Sequence, residues 1–426
     1  LNTYCVKAVD SFGKQVSVCD VTVEKYILSL QPDLTQIEYT QLGTTKTTIQ
    51  DIDIYIPENE EVILKSTMPS GFNFLHWETI NFPQLNNSTA NPLTFNMPNV
   101  NFTIKPIKEA IDTDSFIFTI DTRKITNTQL TFRIPVKFNQ GNNYSINWGD
   151  GIISTKSDTN KVTLTHTYSV AGVYQVKISG NCIGIEFGNE ADKLLSIDQW
   201  GRCGFYDMSK AFQGCSNLTK IPNPSTGLNK DWSQNVVDMS YMFAGSGITT
   251  CYAVWDTSNV ENMKYMFSGC DKLINVTFPV DVSNVVDMSY MFNNCHELSS
   301  LTIGSWSVPN LTNTERMFSA TWKIKALSLR FTNIDTITNT KFMFYNVGRF
   351  NAEPPIPVTL TLDNWNINNI TFDEYFLTET MLQPSSYQTI LQNWSSQSPK
   401  RNLTVSFGKS KYTPTALTYK NKLIND

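Results

Sequence analysis

The stretch Val236-Val237-Asp238-Met239-Ser240-Tyr241-Met242-Phe243 recurs letter for letter at Val285–Phe292. Between them stands Val260-Glu261-Asn262-Met263-Lys264-Tyr265-Met266-Phe267, the same phrase with substitutions. Anchoring on the final aromatic gives Phe212, Phe243, Phe267, Phe292, Phe318 and Phe344, in steps of 31, 24, 25, 26 and 26 residues. Self-similarity at this period marks a stacked array, because one unit of this size cannot bury its own apolar face. Aromatic, Met and Cys residues of the second half are therefore read first as core positions and only then as candidate sites.

Three residues past the anchor come Cys215, Cys270 and Cys295, with Ser246, Thr321 and Val347 at the equivalent places. A column of small buried residues is the bland reading; a metal or disulfide site is the sharper one, and disulfide geometry is demanding for side chains that point the same way. Alternating runs come next, such as Leu298-x-x-Leu301-x-Ile303 and Ile324-x-x-Leu327-x-Leu329, and read as short strands. Then come turns such as Trp255-Asp256-Thr257-Ser258-Asn259, whose Asp, Ser and Asn side chains fold back on backbone. The Met-x-x-Met-Phe stretch has apolar spacing of three and four, which predicts a short helix. At about 4.8 Å per strand, six such units extend roughly 25–30 Å.

Met266–Leu273 and Trp255–Val260 resemble the BspA-type leucine-rich repeat of bacterial surface proteins. The leading segment Asp192–Gly201 with Ala211–Leu218, and the closing segments Tyr387–Trp394 and Val405–Tyr412, resemble that family too. The likeness covers residues 183–426 and implies binding to matrix or host cells. Residues 219–235 depart from it and are expected to form a bulging loop.

The first half carries three shorter likenesses. Residues 1–24 resemble the last strands of a fibronectin type III domain, with an alternating hairpin that sets Cys5 nearly opposite Cys19. A disulfide and a reduced pair both fit there; the disulfide would imply an oxidising compartment. Val62–Trp77 followed by Asn91–Ile104 resembles the small internalin-type β-repeat, with His76 where that family has Gly. Tyr144–Gly151 followed by Thr165–Ile178 resembles a PKD domain, an immunoglobulin-like sandwich. The likeness implies that Trp148 and Tyr174 plug its core and that His166 is structural, against a metal role for it. Asp150-Gly151 reads as a tight hairpin turn.

The expected fold class is mainly β and multidomain: small β modules and an immunoglobulin-like (PKD) sandwich, followed by a leucine-rich-repeat α/β solenoid with a C-terminal cap. The expected divisions are 1–27, 28–109, 110–182, 183–371 and 372–426. In the cap, Pro384–Trp394 reads as a helix with Tyr387, Ile390, Leu391 and Trp394 on one face. Leu403-x-Val405-x-Phe407 reads as a strand pairing near Leu360 and Leu362.

Composition excludes little chemistry outright but lowers several classes. The chain has 33 basic and 38 acidic residues, a net charge of −5, and no run of five basic residues, which argues against a nucleic-acid partner. No apolar stretch approaches the roughly 18–20 residues that span a bilayer. The chain starts at Leu1 without a signal peptide, so a processed or truncated piece of a longer protein is expected. His76, His166 and His296 fall in separate segments without ligand spacing. Asp373-Glu374 is a weak lead for acid–base work, and no phosphate loop or nucleophile elbow is present. No catalytic residue, metal or cofactor is expected.

The expected function is non-catalytic: a surface-exposed adhesion protein at a bacterial cell surface or secreted, with β modules as spacers and the repeats as the binding face. Its partner would be a host or matrix protein or a cell-surface glycan. The alternatives are a phage virion fibre or capsid decoration, and a purely structural spacer. Trp232, Tyr252 and Trp322 lie in irregular spacers and are candidate ligand contacts, against the commoner packing and capping roles.

Overall fold

Side chains alternate between outside and core along Glu61–Thr67, with Val62, Leu64 and Ser66 inward, and this period-two pattern sets most of the first 110 residues as strands. The structure is a computed structural model. It describes the chain except residues 1–2, 10–14, 23–24, 33–34, 42, 70–71, 111, 126–129, 139–142, 158–161, 223–230, 279, 349–356, 363–364, 369–371, 373–374, 398–404, 409 and 426; the side chains of 3–9, 15–22, 109–110, 135–138, 143, 156–157, 162–164, 231 and 424–425 are also outside that description. The chain forms two units, Leu1–Asp112 and Thr113–Asp426.

The first unit opens with the antiparallel pair Thr3–Val9 and Gln15–Thr22, in which the backbone sets Cys5 opposite Cys19. The Cys5–Cys19 disulfide reading falls on side chains outside the described set. Eight further strands make two sheets of four, ordered Ile52–Pro57, Lys25–Leu30, Phe102–Ala110, Phe72–Ile80 and Thr44–Thr48, Gln36–Gln41, Glu61–Thr67, Leu93–Asn96. Leu28, Leu30, Ile56, Leu64, Trp77 and Ile104 fill the space between them. The Trp77 indole N–H donates to the Ala90 carbonyl at 2.9 Å, so this buried donor is satisfied.

The second unit has one continuous core. Five strands line up as Ile153–Ser157, Asn143–Asn147, Val173–Gly180, Phe116–Asp121 and Leu194–Gln199. Three more, Val162–Thr167, Thr131–Phe138 and Cys182–Ile185, form a second sheet. The strand Leu194–Gln199 lies beyond residue 182 yet pairs with Phe116–Asp121. Phe116 packs on Trp200 at 6.2 Å and on Phe212 at 6.4 Å. The PKD-like sandwich expected at 110–182 is corrected on this ground: it shares a sheet with Leu194–Gln199 and a core with Trp200 and Phe212. Trp148 is fully buried, while Tyr174 is only partly buried and stacks on the buried Tyr168 at 4.3 Å.

In the repeats, Phe212, Phe243, Phe267, Phe292, Phe318 and Phe344 are buried and stack at 5.3–5.8 Å. The main chain explains the regularity. Met239, Tyr241, Phe243 and Gly245 donate their N–H groups to the carbonyls of Asn262, Lys264, Met266 and Ser268 in the next repeat. The residues between them turn inward, with Met242 donating to Met239 O and Ala244 to Tyr241 O. An α-helix would use every N–H on a carbonyl four residues back.

The short helix expected at Met-x-x-Met-Phe is therefore corrected to a tight double turn. Lys210, Tyr241, Tyr265, Tyr290, Arg316 and Phe342, each two residues before its anchor, have φ between 51° and 59°. Two residues past each anchor, Gly214, Gly245, Gly269, Asn294, Ala320 and Asn346 are left-handed as well. Paired left-handed residues four apart cannot continue a right-handed helix. Strands are only two to four residues long and split over separate parallel sheets, Thr250–Tyr252 with Asn275–Phe278 and Ser300–Ile303, Trp306–Ser307 with Phe331–Thr332, and Ala326–Ser328 with Thr359–Thr361. The leucine-rich-repeat α/β solenoid is accordingly overturned. The chain is mainly β in several small sheets, and its two α-helices among the described residues lie at the C-terminus.

Those helices are α1 (Pro384–Ser395) and α2 (Pro414–Asn425). In α1, Tyr387, Ile390, Leu391 and Trp394 are buried, and Trp394 packs on Phe372 at 4.9 Å. Of the strand expected at Leu403–Phe407, residues 403–404 lie outside the described set, and the described residues 405–407 are irregular, with Phe407 against Tyr387 at 4.6 Å. The strand Thr359–Thr361 pairs instead with Ala326–Ser328. Among the described residues no helix is long and apolar enough to cross a membrane.

Candidate functional site

The same double turn that stacks the anchors inward sets a second column outward. The residue two before each anchor carries a left-handed backbone, and its side chain lies at the surface. Tyr241 stacks on Tyr265 at 4.6 Å with planes 6° apart, and Tyr265 on Tyr290 at 4.3 Å and 7°. Arg316 takes the next place, its guanidinium carbon 4.4 Å from the centre of the Phe342 ring. Phe342 stacks on Tyr375 at 4.7 Å, and Tyr375 is 39% exposed. The outcome is a partly exposed stripe over six successive turns, in two contacting runs, Tyr241–Tyr265–Tyr290 and Arg316–Phe342–Tyr375. Spacings near 4.5 Å agree with the strand-like separation of neighbouring repeats.

Polar groups border the stripe. The Tyr290 hydroxyl donates to Glu315 Oε1 at 2.7 Å, and Asn339 Nδ2 donates to Glu315 Oε2 at 3.2 Å. Burial, then the hydrogen bond and charge of Glu315, push the Tyr290 phenol well above its usual range. Lys264 lies 5.6 Å from the Tyr265 ring centre. Beside it runs a column of Asp207, Asp238, Asn262, Asp287, Asn313 and Asn339, joined by one-residue parallel bridges. Each of Asp238, Asn262, Asp287, Asn313 and Asn339 accepts the N–H two residues on, which fixes the turn. Asn262 and Asn313 also donate to Asp238 and Asp287 at 3.5 and 3.3 Å, and Asn262 separates Asp238 from Asp287 in the column.

The candidates named from sequence are not brought together. Trp232 is 1% exposed and stacks on Trp200 at 4.3 Å, which makes it core and removes it as a surface contact. Tyr252 is 42% exposed at the end of the strand Thr250–Tyr252. Trp322 is half-buried and stacks on His296 at 3.7 Å, while His296 Nδ1 sits 3.0 Å from Asp271 Oδ1. Asp271, His296 and Trp322 are equivalent positions of three successive repeats, so this is a second, shorter surface column.

Cys215, Cys270 and Cys295 are buried free thiols. Cys270 donates to Phe243 O at 3.0 Å and Cys295 to Phe267 O at 3.1 Å, each tying its repeat to the one before. His166 Nε2 lies 2.7 Å from Asp150 Oδ2, and its ring stacks on Trp148 at 4.9 Å. His76 lies in the first unit, within Phe72–Ile80. Among the described residues no group of three or more His, Cys, Asp or Glu is placed to hold a metal. Asp373-Glu374 lies outside the described residues, as do residues 223–230 of the loop expected at 219–235.

The stripe itself was missed from sequence. Its signal was present: five of its six members share one offset from the repeat anchor. A short helix was expected there, and no column was drawn from that offset.

A family model described as "Mycoplasma protein of unknown function, DUF285" matches residues 186–276, 237–358 and 280–394. Neither the comparison with curated proteins nor that with solved structures gave a match. The family match coincides with the repeats and assigns them no function. It supports no fibronectin type III-like, internalin-type or PKD-like module and no leucine-rich-repeat fold, and these are withdrawn.

Proposed function

We propose that this chain is a non-catalytic binding protein that works outside the cell, with the aromatic stripe as its ligand-contacting face. The ligand is a host or matrix protein or a cell-surface glycan, and the first unit serves as a spacer. One observation carries the reading: Tyr241, Tyr265 and Tyr290, then Arg316, Phe342 and Tyr375, form two contacting runs of partly exposed side chains on successive turns of a hydrogen-bonded frame. Aromatic side chains bring large contact area at low entropic cost, and surfaces that bind are enriched in them and in Arg. A pre-formed frame also lowers the ordering cost of association.

The test is an array of glycans and matrix proteins probed with the full chain and with Tyr265→Ser/Tyr290→Ser. The expected result is selective capture that the double variant loses while its circular dichroism is kept. Capture that ignores the stripe, or no capture on any surface, would sink the proposal. Antibody labelling of intact cells tests the location: signal only after lysis overturns it.

A further inference from the structure

We infer that Arg316 and Lys341 form an anion-binding subsite within the stripe that takes the sulfate or carboxylate groups of an acidic polysaccharide. The inference rests on the proposed binding function and narrows its ligand class.

Three observations meet here. First, Arg316 replaces tyrosine in the column, and its guanidinium lies 4.4 Å from the Phe342 ring centre and 6.0 Å from that of Tyr345. A guanidinium held against a ring keeps its N–H donors in its own plane, free for a planar or tetrahedral oxyanion. Second, among the described residues Arg316 makes no ion pair. Its sequence neighbour Glu315 is engaged elsewhere, by the Tyr290 hydroxyl and the Asn339 amide. Third, Lys341 is exposed and stands 5.8 Å from the centre of the same Phe342 ring, so two cations share one aromatic platform.

The chain carries a net charge of −5, so these cations are a local feature and not a general basicity. Arg forks bind carboxylate and sulfate oxygens in pairs, and Lys adds a second point charge. Lys264 over Tyr265 places a third cation further along the stripe. Cations interleaved with ring edges suit a polymer that presents anionic groups and sugar C–H faces in turn. A small free anion would engage only one of these positions.

The experiment uses the full chain against immobilised heparin, hyaluronan and neutral dextran, with inorganic sulfate as competitor. Heparin should be retained and dextran not, with affinity falling as salt rises. Arg316→Gln/Lys341→Gln should weaken heparin binding at least about tenfold. Arg316→Lys should recover only part of it, and Lys46→Gln, an exposed cation of the first unit, should change nothing. Melting curves establish that each variant is folded. Unchanged heparin binding in the double variant overturns the inference. So does displacement by sulfate at the concentration that an isolated ion site would need, because the polymer then adds nothing. Capture of a matrix protein or neutral glycan through the stripe, with heparin ignored, overturns this inference and leaves the binding proposal standing. Binding to nothing removes both.

Discussion

Phe267 stacks on Phe292 with ring centres 5.4 Å apart and planes 3° from parallel, and on its other side it meets Phe243 at 5.7 Å. Each inner ring of the column therefore has two like neighbours. Replacing Phe267 by Ala removes both contacts and opens a cavity between two repeats held by main-chain bonds that cannot close it. The expected cost is about 3–5 kcal/mol. Urea unfolding should show that loss in the Thr113–Asp426 unit and leave Leu1–Asp112 unchanged. Amide exchange should quicken first at Phe243 and Phe267, whose N–H groups bond to Met266 and Met291.

The backbone makes a second prediction, in which a single methyl group changes. Ala320 sits at φ 58°, where earlier repeats place Gly214, Gly245 and Gly269. A left-handed conformation costs a residue with Cβ roughly 1–2 kcal/mol, partly offset by the extra freedom of Gly in the unfolded chain. Ala320→Gly should therefore stabilise by about 0.5–1 kcal/mol. Gly245→Ala should do the reverse, since its new Cβ would meet only Gly214, at 3.8 Å, and strain is then the main cost. Thermal melts of the two variants should shift in opposite directions.

The thiols should be silent in the folded state. Burial pushes Cys270 up to about 12, and it raises Cys215, Cys251 and Cys295 as well. Cys182 is raised by its contact with the Cys203 thiol and by burial. Thiolate is the reacting form, so alkylation by iodoacetamide at about pH 8 should leave all five unmodified until denaturant is added. Rapid labelling of Cys270 in native protein would show that its repeat opens far more often than its packing allows.

Acid should weaken the second unit through Asp150. Burial pushes its carboxyl up, but hydrogen bonds from His166 and the Ile152 N–H pull it down further, and the net position is below the usual carboxylate range. A folded-state value below the unfolded one contributes stability that is present above roughly pH 4 and is lost as pH falls through the folded value. Asp121, held low chiefly by Arg123, acts in the same direction. Asp150→Asn should flatten the fall in stability between about pH 5 and pH 2, measured by urea midpoints. A variant as acid-sensitive as the parent would assign the effect elsewhere.

The repeat was legible because its anchor is the same residue each time and its period is nearly constant. Helix α1 was legible because Tyr387, Ile390, Leu391 and Trp394 mark one helical face. What failed did so where periodicity is ambiguous. Met239, Met242 and Phe243 have helical spacing, yet the turn depends on a left-handed Tyr241, and nothing about tyrosine announces that conformation. The pairing of Ile117 with Gln199 across residue 182 was not legible, because it leaves no composition signal. Trp232 looked exposed from its irregular surroundings, but burial came from Trp200, which is distant in sequence. Helix α2 could have been found: Thr413 precedes Pro414 and caps Ala416 N at 3.1 Å, with Ala416, Tyr419 and Leu423 spaced along one face.

The last turn of the stack decides whether the array can stand alone. Phe344 and Asn346 donate to the carbonyls of Phe376 and Thr378, so residues 375–380 repeat the same turn once more. Beyond it the side chains change, and α1 lays Tyr387, Ile390, Leu391 and Trp394 against that end. Phe407 packs on Tyr387 and Trp394, and Ala416 of α2 is fully buried. Main-chain groups are closed off too: Gln383 N donates to Val358 O, and Leu382 N to Ser410 Oγ at 2.9 Å. Removing residues 384–426 would expose Leu382, Trp365, Phe372 and Phe376 together, along with unpaired backbone at a strand-like edge. That truncation should aggregate, read as loss of the monomer peak in size-exclusion chromatography. Trp394→Ala should give a milder form of the same defect, about 3–5 kcal/mol in urea unfolding. A soluble, monomeric truncation with unchanged melting would show that the stack ends by itself at the Phe376 turn and that the helices have another task.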